Sequence, residues 1–305
     1  MTQFKKYPKI YRLGSEETSD FFKFVDDSVV VEEKVDGGNG CFWIDEDDAI
    51  HVSSRNRDLT NENDAKTFAK QRATLMEILR GKDINKDYYY YIEWMATHTI
   101  RYDNVPDVIG LDIRMKRSMD EDECGLFLGR DTRVHLFEEL DIENIPLVWR
   151  GKINDLQKMK IEDLIGPSKY YSGKMEGVVL KNYNRKAKMG NHQLYAKVVA
   201  DEFKENNKAV FGGVREKNTD TNKIVEAYCT EARIKKHIQK LLNEENLPLG
   251  MELMKYLPRN VGQDILVEDI TGIYEAYNWL DFKSFKTLIT KRCVKELQIY
   301  MGDKK

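Results

Sequence analysis

The stretch Glu32-Glu33-Lys34-Val35-Asp36-Gly37-Gly38-Asn39-Gly40 constrains the fold of this chain more than any other. It lies between two short apolar runs, Val29-Val30-Val31 and Cys41-Phe42-Trp43-Ile44. Both runs predict strands, so Lys34 ends one strand and the glycines lead into the next, a junction that holds a side chain rigidly. A surface lysine has a pKa of about 10.4 and is protonated at neutral pH, so a nucleophilic role requires desolvation or nearby positive charge. Depressing that pKa by about 3 pH units costs roughly 4 kcal/mol. The plainer reading is a β-hairpin whose Asp-Gly-Gly-Asn does no more than make the turn. Partner residues elsewhere in the chain decide between the two.

At 305 residues the chain can bury a large core and predicts one large domain with a smaller second one. Its 49 Lys plus Arg nearly cancel its 52 Asp plus Glu, which excludes a globally basic nucleic-acid binder and makes any such surface local. Cys41, Cys124, Cys229 and Cys293 form neither the close pairs of a zinc site nor the dense set of a disulfide scaffold. The N-terminus has no apolar core of signal-peptide length, and no run approaches the ~20 apolar residues of a membrane span. The expectation is a cytoplasmic protein in a reducing setting, with no membrane partner.

Residues 34–197 alternate short β-type segments with helical or loop insertions, an α+β pattern. The β-type segments include Tyr88-Tyr89-Tyr90-Tyr91-Ile92, Val108-Ile109-Gly110-Leu111, Val134-His135-Leu136-Phe137 and Gly177-Val178-Val179-Leu180. Residues 64–79 read as a helix outside the sheet, stopped at Gly81. Residues 208–220 are rich in glycine and charge and predict a linker, dividing a domain at 1–207 from one at 221–305. In the latter, residues 221–246, 251–257, 265–280 and 282–300 show helical spacing, so this domain is small and all-helical.

Four segments can accompany Lys34. Ser54-Arg55-Asn56-Arg57 offers small polar groups and guanidiniums suited to a phosphate or ribose, or is simply an exposed loop. Glu93 is one carboxylate in an aromatic strand, facing a polar cleft, a cation or solvent. Glu176 and Lys181 flank an apolar strand whose Gly177 allows close approach of a ligand. Lys197 ends a further strand, a position where a lysine is ordinarily solvated.

Taken in order, these segments resemble the covalent nucleotidyltransferases, the superfamily of ATP-dependent DNA ligases, RNA ligases and mRNA capping enzymes. Lys34 to Gly37 is similar to motif I of that superfamily, Ser54-Arg55 to motif Ia, Glu93 to motif III, Ile109 to Asp112 to motif IIIa, Glu176 to Lys181 to motif IV and Lys197 to motif V. The resemblance covers roughly residues 31–203. It implies an adenylylation domain of antiparallel sheets with flanking helices. Asn39, five positions after the lysine, stands where DNA ligases and capping enzymes usually carry arginine, and it resembles ligases of the RNA ligase 2 type. The helical tail in place of an OB-fold agrees. Two positions depart from the pattern: Val199 stands where motif V often has a second lysine, which Lys204 would replace, and Leu111 stands where an aromatic ring often stacks on adenine.

The resemblance implies that Lys34 attacks the α-phosphate of ATP, that AMP passes to a 5′-phosphate, and that a 3′-hydroxyl displaces it. It further implies that Mg²⁺ (or Mn²⁺), Lys197, Lys181 and Arg55 offset phosphate charge and that these cations lower the pKa of Lys34. Glu93 would bind the ribose, Asn39 a phosphate-side group, and Glu176 a hydrated metal. The backbone of Glu33 and Val35 would read adenine on a Leu111 platform. The partner would be RNA ends in a nicked duplex, met by a monomer. Lys181, Arg185, Lys186, Lys188 and Lys197, interleaved with Tyr183, His192 and Tyr195, form either a basic lane for it or a solvated loop. Arg233, Lys235, Lys236, Lys240, Arg259, Lys291 and Arg292 add cations in the helical domain. The rival readings are a DNA ligase, a capping-type guanylyltransferase, and a nucleic-acid-binding protein that has lost catalysis.

Overall fold

The computed structural model describes residues 6–96, 98–116, 127–187, 193–200, 203 and 217–302. Cys124, Lys188, His192, Lys204 and residues 208–216 of the expected linker lie outside the described residues. The chain divides into two compact units, Met1–Ala200 and Asp201–Lys305. Residues 217–220, read from the sequence as the end of the linker, instead open a helix.

Among its described residues the first unit has strands β1 (Tyr11–Arg12), β2 (Ser28–Lys34), β3 (Gly38–Ile44), β4 (Ile50–Ser54), β5 (Tyr88–Trp94), β6 (Val108–Met115), β7 (Leu147–Lys152), β8 (Gly177–Lys186) and β9 (Gln193–Val199). They form a five-stranded sheet, β1-β9-β8-β2-β7, and a four-stranded one, β4-β3-β5-β6. All pairings are antiparallel except β1 with β9. Consecutive strands β2 and β3 belong to different sheets, so the hairpin reading of Asp36-Gly37-Gly38-Asn39 is overturned. Residues 35–37 carry the chain from one sheet to the other, and Lys34 stands at the point of departure. β2 is buried on both faces from Val29 to Glu33, which is why its valines run without alternation.

The outer face of the four-stranded sheet buries Phe42, Val52, Tyr90, Ile92 and Trp94 against Leu75 and Phe137. Two sequence expectations change here. Residues 64–79 are not one helix: α1 (Glu62–Ala65) and α2 (Ala69–Ile78) are separated by a 3₁₀ turn in which Lys66 takes a φ of 41°. Val134-His135-Leu136-Phe137 is not a strand but lies in α3 (Arg130–Glu139), where Arg133 and Phe137, four residues apart, share the buried face. A short α4 (Ile153–Leu156) follows β7.

The second unit contains α5 (Lys217–Tyr228), α6 (Glu231–Asn243), α7 (Leu257–Ala276) and α8 (Phe282–Gly302) around one apolar core. The helical spacing of residues 221–246 is interrupted at Thr230, whose hydroxyl accepts from Arg233 N and caps α6. Arg233, counted above among the cations for RNA, is buried with its guanidinium on Asp264 (3.0 Å) and Asp269 (2.6 Å), so it holds helices and does not face a ligand. Among the described residues no helix is long and apolar enough to cross a membrane.

Candidate active site

Side chains alternate along a strand, so Val30, Glu32 and Lys34 leave β2 on one face. The register sets Lys34 beside Gly177, Glu32 beside Val179 and Val30 beside Lys181 on β8, and Val179 beside Lys197 on β9. Lys34, Glu32, Lys181 and Lys197 therefore share a face of the five-stranded sheet. On the other sheet Asn39, Glu93 and Ile109 stand in register across β3, β5 and β6, one step from Cys41, Tyr91 and Asp112. Lys181 reaches across to Asp112 at 2.7 Å, so these two faces look at each other.

At the Lys34 end the facing residues are half-buried. Lys34 Nζ donates to Glu176 Oε2 at 2.5 Å, with the lysine side chain 18% and the glutamate 7% exposed. The residue bound to Lys34 is thus a carboxylate and not one of the cations anticipated beside it. Asn39 and Glu93 are direct cross-strand neighbours, and Arg55 follows β4 immediately after Ser54, the partner of Gly40. Val35 is buried with Met95, Ile109, Ile145 and Tyr170, and half-buried Leu111 packs on the same cluster. Leu111 is also the extra residue of a β-bulge, since Tyr91 pairs with Asp112 and Ile92 with Gly110; a bulge re-aims a side chain beside a site. The Glu33 N–H is taken by Pro146 O (3.0 Å), which removes it as a reader of adenine and leaves the carbonyl and Val35. The Gly177 expectation also changes: a Cβ there would lie 2.1 Å from Val198 O, so its lack of side chain admits β9 and not a ligand. Among the described residues no three His, Cys, Asp or Glu side chains gather as a metal-binding group.

At the other end the faces are closed by buried charge. Glu32 is bound by Arg133, by Lys181 (2.8 Å) and by Arg130 (3.0 Å). Asp112 accepts from Lys181, from Tyr7 Oη (2.5 Å) and from Tyr183 Oη (3.0 Å), with Arg133 at 3.4 Å. Arg133 Nη1 and Lys181 Nζ both donate to the Leu111 carbonyl. Burial alone would raise the Glu32 carboxyl, but Lys181 and Arg133 overcome it and hold it down to about 2. Burial is the main cause that lifts the Tyr7 and Tyr183 phenols well above their ordinary value, with the Asp112 charge adding to it. Lys181, expected to meet phosphate, is 3% exposed and committed to two carboxylates. Of the expected basic lane, Tyr183 and Tyr195 face the buried network, Arg185 is paired with Asp27 at 2.7 Å on the surface, and Lys188 and His192 lie outside the described residues. Lys197 is half-buried on β9, on the shared face.

The description RNA ligase matches the chain over residues 27–199, more than half its length. The chain belongs to the RNA ligase family. Solved structures with a similar fold include variants of Naegleria gruberi RNA ligase: an apo form (18% identity, 67% of this chain and 57% of that one, TM-score 0.48) and a form with AMP and Mn (19%, 67% and 58%, 0.47). A third, with ATP and Mn, has 18% identity over 64% of this chain and 56% of that one, with a TM-score of 0.45. The chain thus spans less than two thirds of the length of those proteins. No curated protein matches it.

Several residues of this RNA ligase family member escaped the reading of its sequence. Glu32 and Arg133, which form the closed end with Asp112, are two of them, and the signal for Glu32 was an acid directly after three valines. Asp36, read as turn chemistry, accepts at Oδ2 from Thr99 N (2.5 Å), Thr99 Oγ1 (2.5 Å) and Ile100 N (3.3 Å). The Glu33 carboxylate leaves the opposite face of β2 and accepts from Ser168 Oγ (2.6 Å) and Lys169 N (3.2 Å). Burial raises its pKa despite those two donors.

Proposed function

We propose that this chain is an ATP-dependent RNA ligase that joins 5′-phosphate and 3′-hydroxyl ends through a lysyl-AMP intermediate, in the repair of nicked RNA. The observation that carries this reading is the pair of half-buried Lys34 with buried Glu176 at the β2 terminus, facing Asn39 and Glu93 on the opposing sheet. Lys34 must lose a proton before it attacks, and the Glu176 carboxylate is the acceptor it already holds. The Nζ–phosphorus bond then forms at the α-phosphate as the bond to the bridging oxygen breaks and pyrophosphate leaves. AMP passes from Lys34 to the 5′-phosphate of the nucleic acid, and the 3′-hydroxyl displaces it to form the phosphodiester.

Such transfers depend on in-line positioning and on neutralising phosphate charge. Val35 and Leu111 supply apolar walls for adenine, Glu93 holds the ribose, and Asn39, Arg55 and Lys197 serve the phosphates. Lys181 is assigned to holding the sheets. A bound Mg²⁺ or Mn²⁺ supplies further charge neutralisation, and Glu176 is the residue offered to it through water; one carboxylate with phosphate oxygens and water is a donor set that Mg²⁺ commonly takes.

The test is incubation with α-labelled ATP and Mg²⁺. Label on the native chain and none on Lys34→Ala supports the reading; no label on the native chain, or equal label on the variant, refutes it. Nicked duplexes with RNA or DNA on each side of the break then set the subclass. Faster sealing at a DNA 3′-hydroxyl would move the chain to the DNA ligases.

A further inference from the structure

Resting on that reading, we infer that Tyr102 is a positioning residue for Lys34, locking the crossing between the two sheets through the backbone of Asp36. Residues 35–37 have no strand partner, so their N–H groups must be satisfied elsewhere. Asp36 N donates to Tyr102 Oη at 2.8 Å, and the Asp36 carboxylate accepts from Thr99 and Ile100 of the same loop. Crossing and loop therefore hold each other in both directions.

On the other side of Lys34, Glu33 holds residues 168–169. The two loops are joined: Asp103 N and Asn104 N donate to Tyr170 O (3.0 and 3.2 Å), Ser172 N donates to Asp103 Oδ2 (3.2 Å), and the Tyr102 ring meets Tyr170 and Tyr171 edge-on. Behind the crossing β5 closes the gap, since a Cβ on Gly37 would fall 2.7 Å from Glu93 Cγ and 2.8 Å from Trp94 O. The backbone on both sides of Lys34 is thus tied down, and its side-chain torsions are what remains free. Tyr102 Oη bonds to the Asp36 N–H and not to Lys34, so its role is to aim the amine. Attack at phosphorus is sensitive to such aim, because a misplacement of about 1 Å costs on the order of 100-fold.

The experiment compares the full chain with Tyr102→Phe, which removes the hydroxyl and keeps the ring. One arm follows single-turnover labelling by α-labelled ATP over a range of ATP concentrations. The inference predicts a maximal rate lowered about 10-fold, with half-saturating ATP unchanged within about 2-fold. The second arm follows amide hydrogen exchange and predicts faster exchange in peptides spanning residues 34–37, with β2 and β5 unaltered. An unchanged rate and unchanged exchange overturn the inference, as does a raised half-saturating ATP at full maximal rate, which would make Tyr102 a nucleotide contact. If the native chain takes no label, the functional reading fails, and the exchange arm still decides whether Tyr102 holds the crossing. If Tyr102→Phe does not fold, Thr99→Ala removes the hydroxyl donor to Asp36 from the same loop, with the same signature at about 3-fold expected and no effect overturning it.

Discussion

Lys34 and Lys181 stand on neighbouring strands, on one face of one sheet, each with carboxylate partners. Lys181 is fully enclosed and shares its charge between Glu32 and Asp112, whereas Lys34 has one partner among the described residues and an 18% exposed side chain. The same residue type thus serves two ends of one inter-sheet space. Where the sheets close, matched charge holds them; where they part, a half-buried lysine meets a buried carboxylate, and this is the pair proposed to react. Burial and partner number, not residue type, separate the clamp from the lysine proposed to react.

The largest effect that sharpens this contrast is functional. Lys34→Met should abolish labelling by α-labelled ATP while leaving the unfolding free energy within about 1 kcal/mol of the native chain, as read by urea titration. Lys181→Met should do the reverse in stability, since it strips a buried cation from two buried carboxylates; a loss of about 3–5 kcal/mol is expected. Arg133→Met should match it, because the same two acids lose the same kind of partner. Equal, small losses for Lys34 and Lys181 would break the comparison.

Acid should act on the closed end next. The Glu32 carboxyl sits at about 2, below its ordinary 4.5, so its stabilisation is complete above pH 4.5 and is lost as the pH falls towards 2. Roughly 3 kcal/mol of unfolding free energy is expected to disappear across that window, measured by urea titration at successive pH values. The smallest effect belongs to an exposed pair of similar chemistry. Arg150 makes a two-pronged bond to Asp131 at 2.7 and 2.9 Å, yet both are open to water, and Arg150→Ala should cost no more than about 1 kcal/mol.

The legibility of the molecule divides along the same line. The strands on either side of Lys34 could be read locally, because apolar runs and glycines mark strand ends, whereas Arg55, Glu93, Glu176 and Lys197 were singled out by the resemblance of their ordered motifs. The closed end could not be read locally. Arg133 meets Glu32 from 101 residues away, and a four-residue run such as Val134 to Phe137 does not separate strand from helix. Arg233 read as a surface cation because nothing near it in sequence announces Asp264 and Asp269. The bulge at Leu111 is likewise a property of strand pairing and has no signature in Ile109-Gly110-Leu111-Asp112 itself. Asp36 was visible but misread: its carboxylate serves the loop at Thr99 and does more than shape a turn.

The central claim is that the open-end lysine is the residue that carries AMP. Peptide mapping of the chain after incubation with ATP and Mg²⁺ tests it most directly. The account predicts one adenylyl group, on the peptide containing Lys34 and on that lysine, removed when pyrophosphate is added. An adduct on Lys181 or Lys197, or none on any lysine, would contradict it.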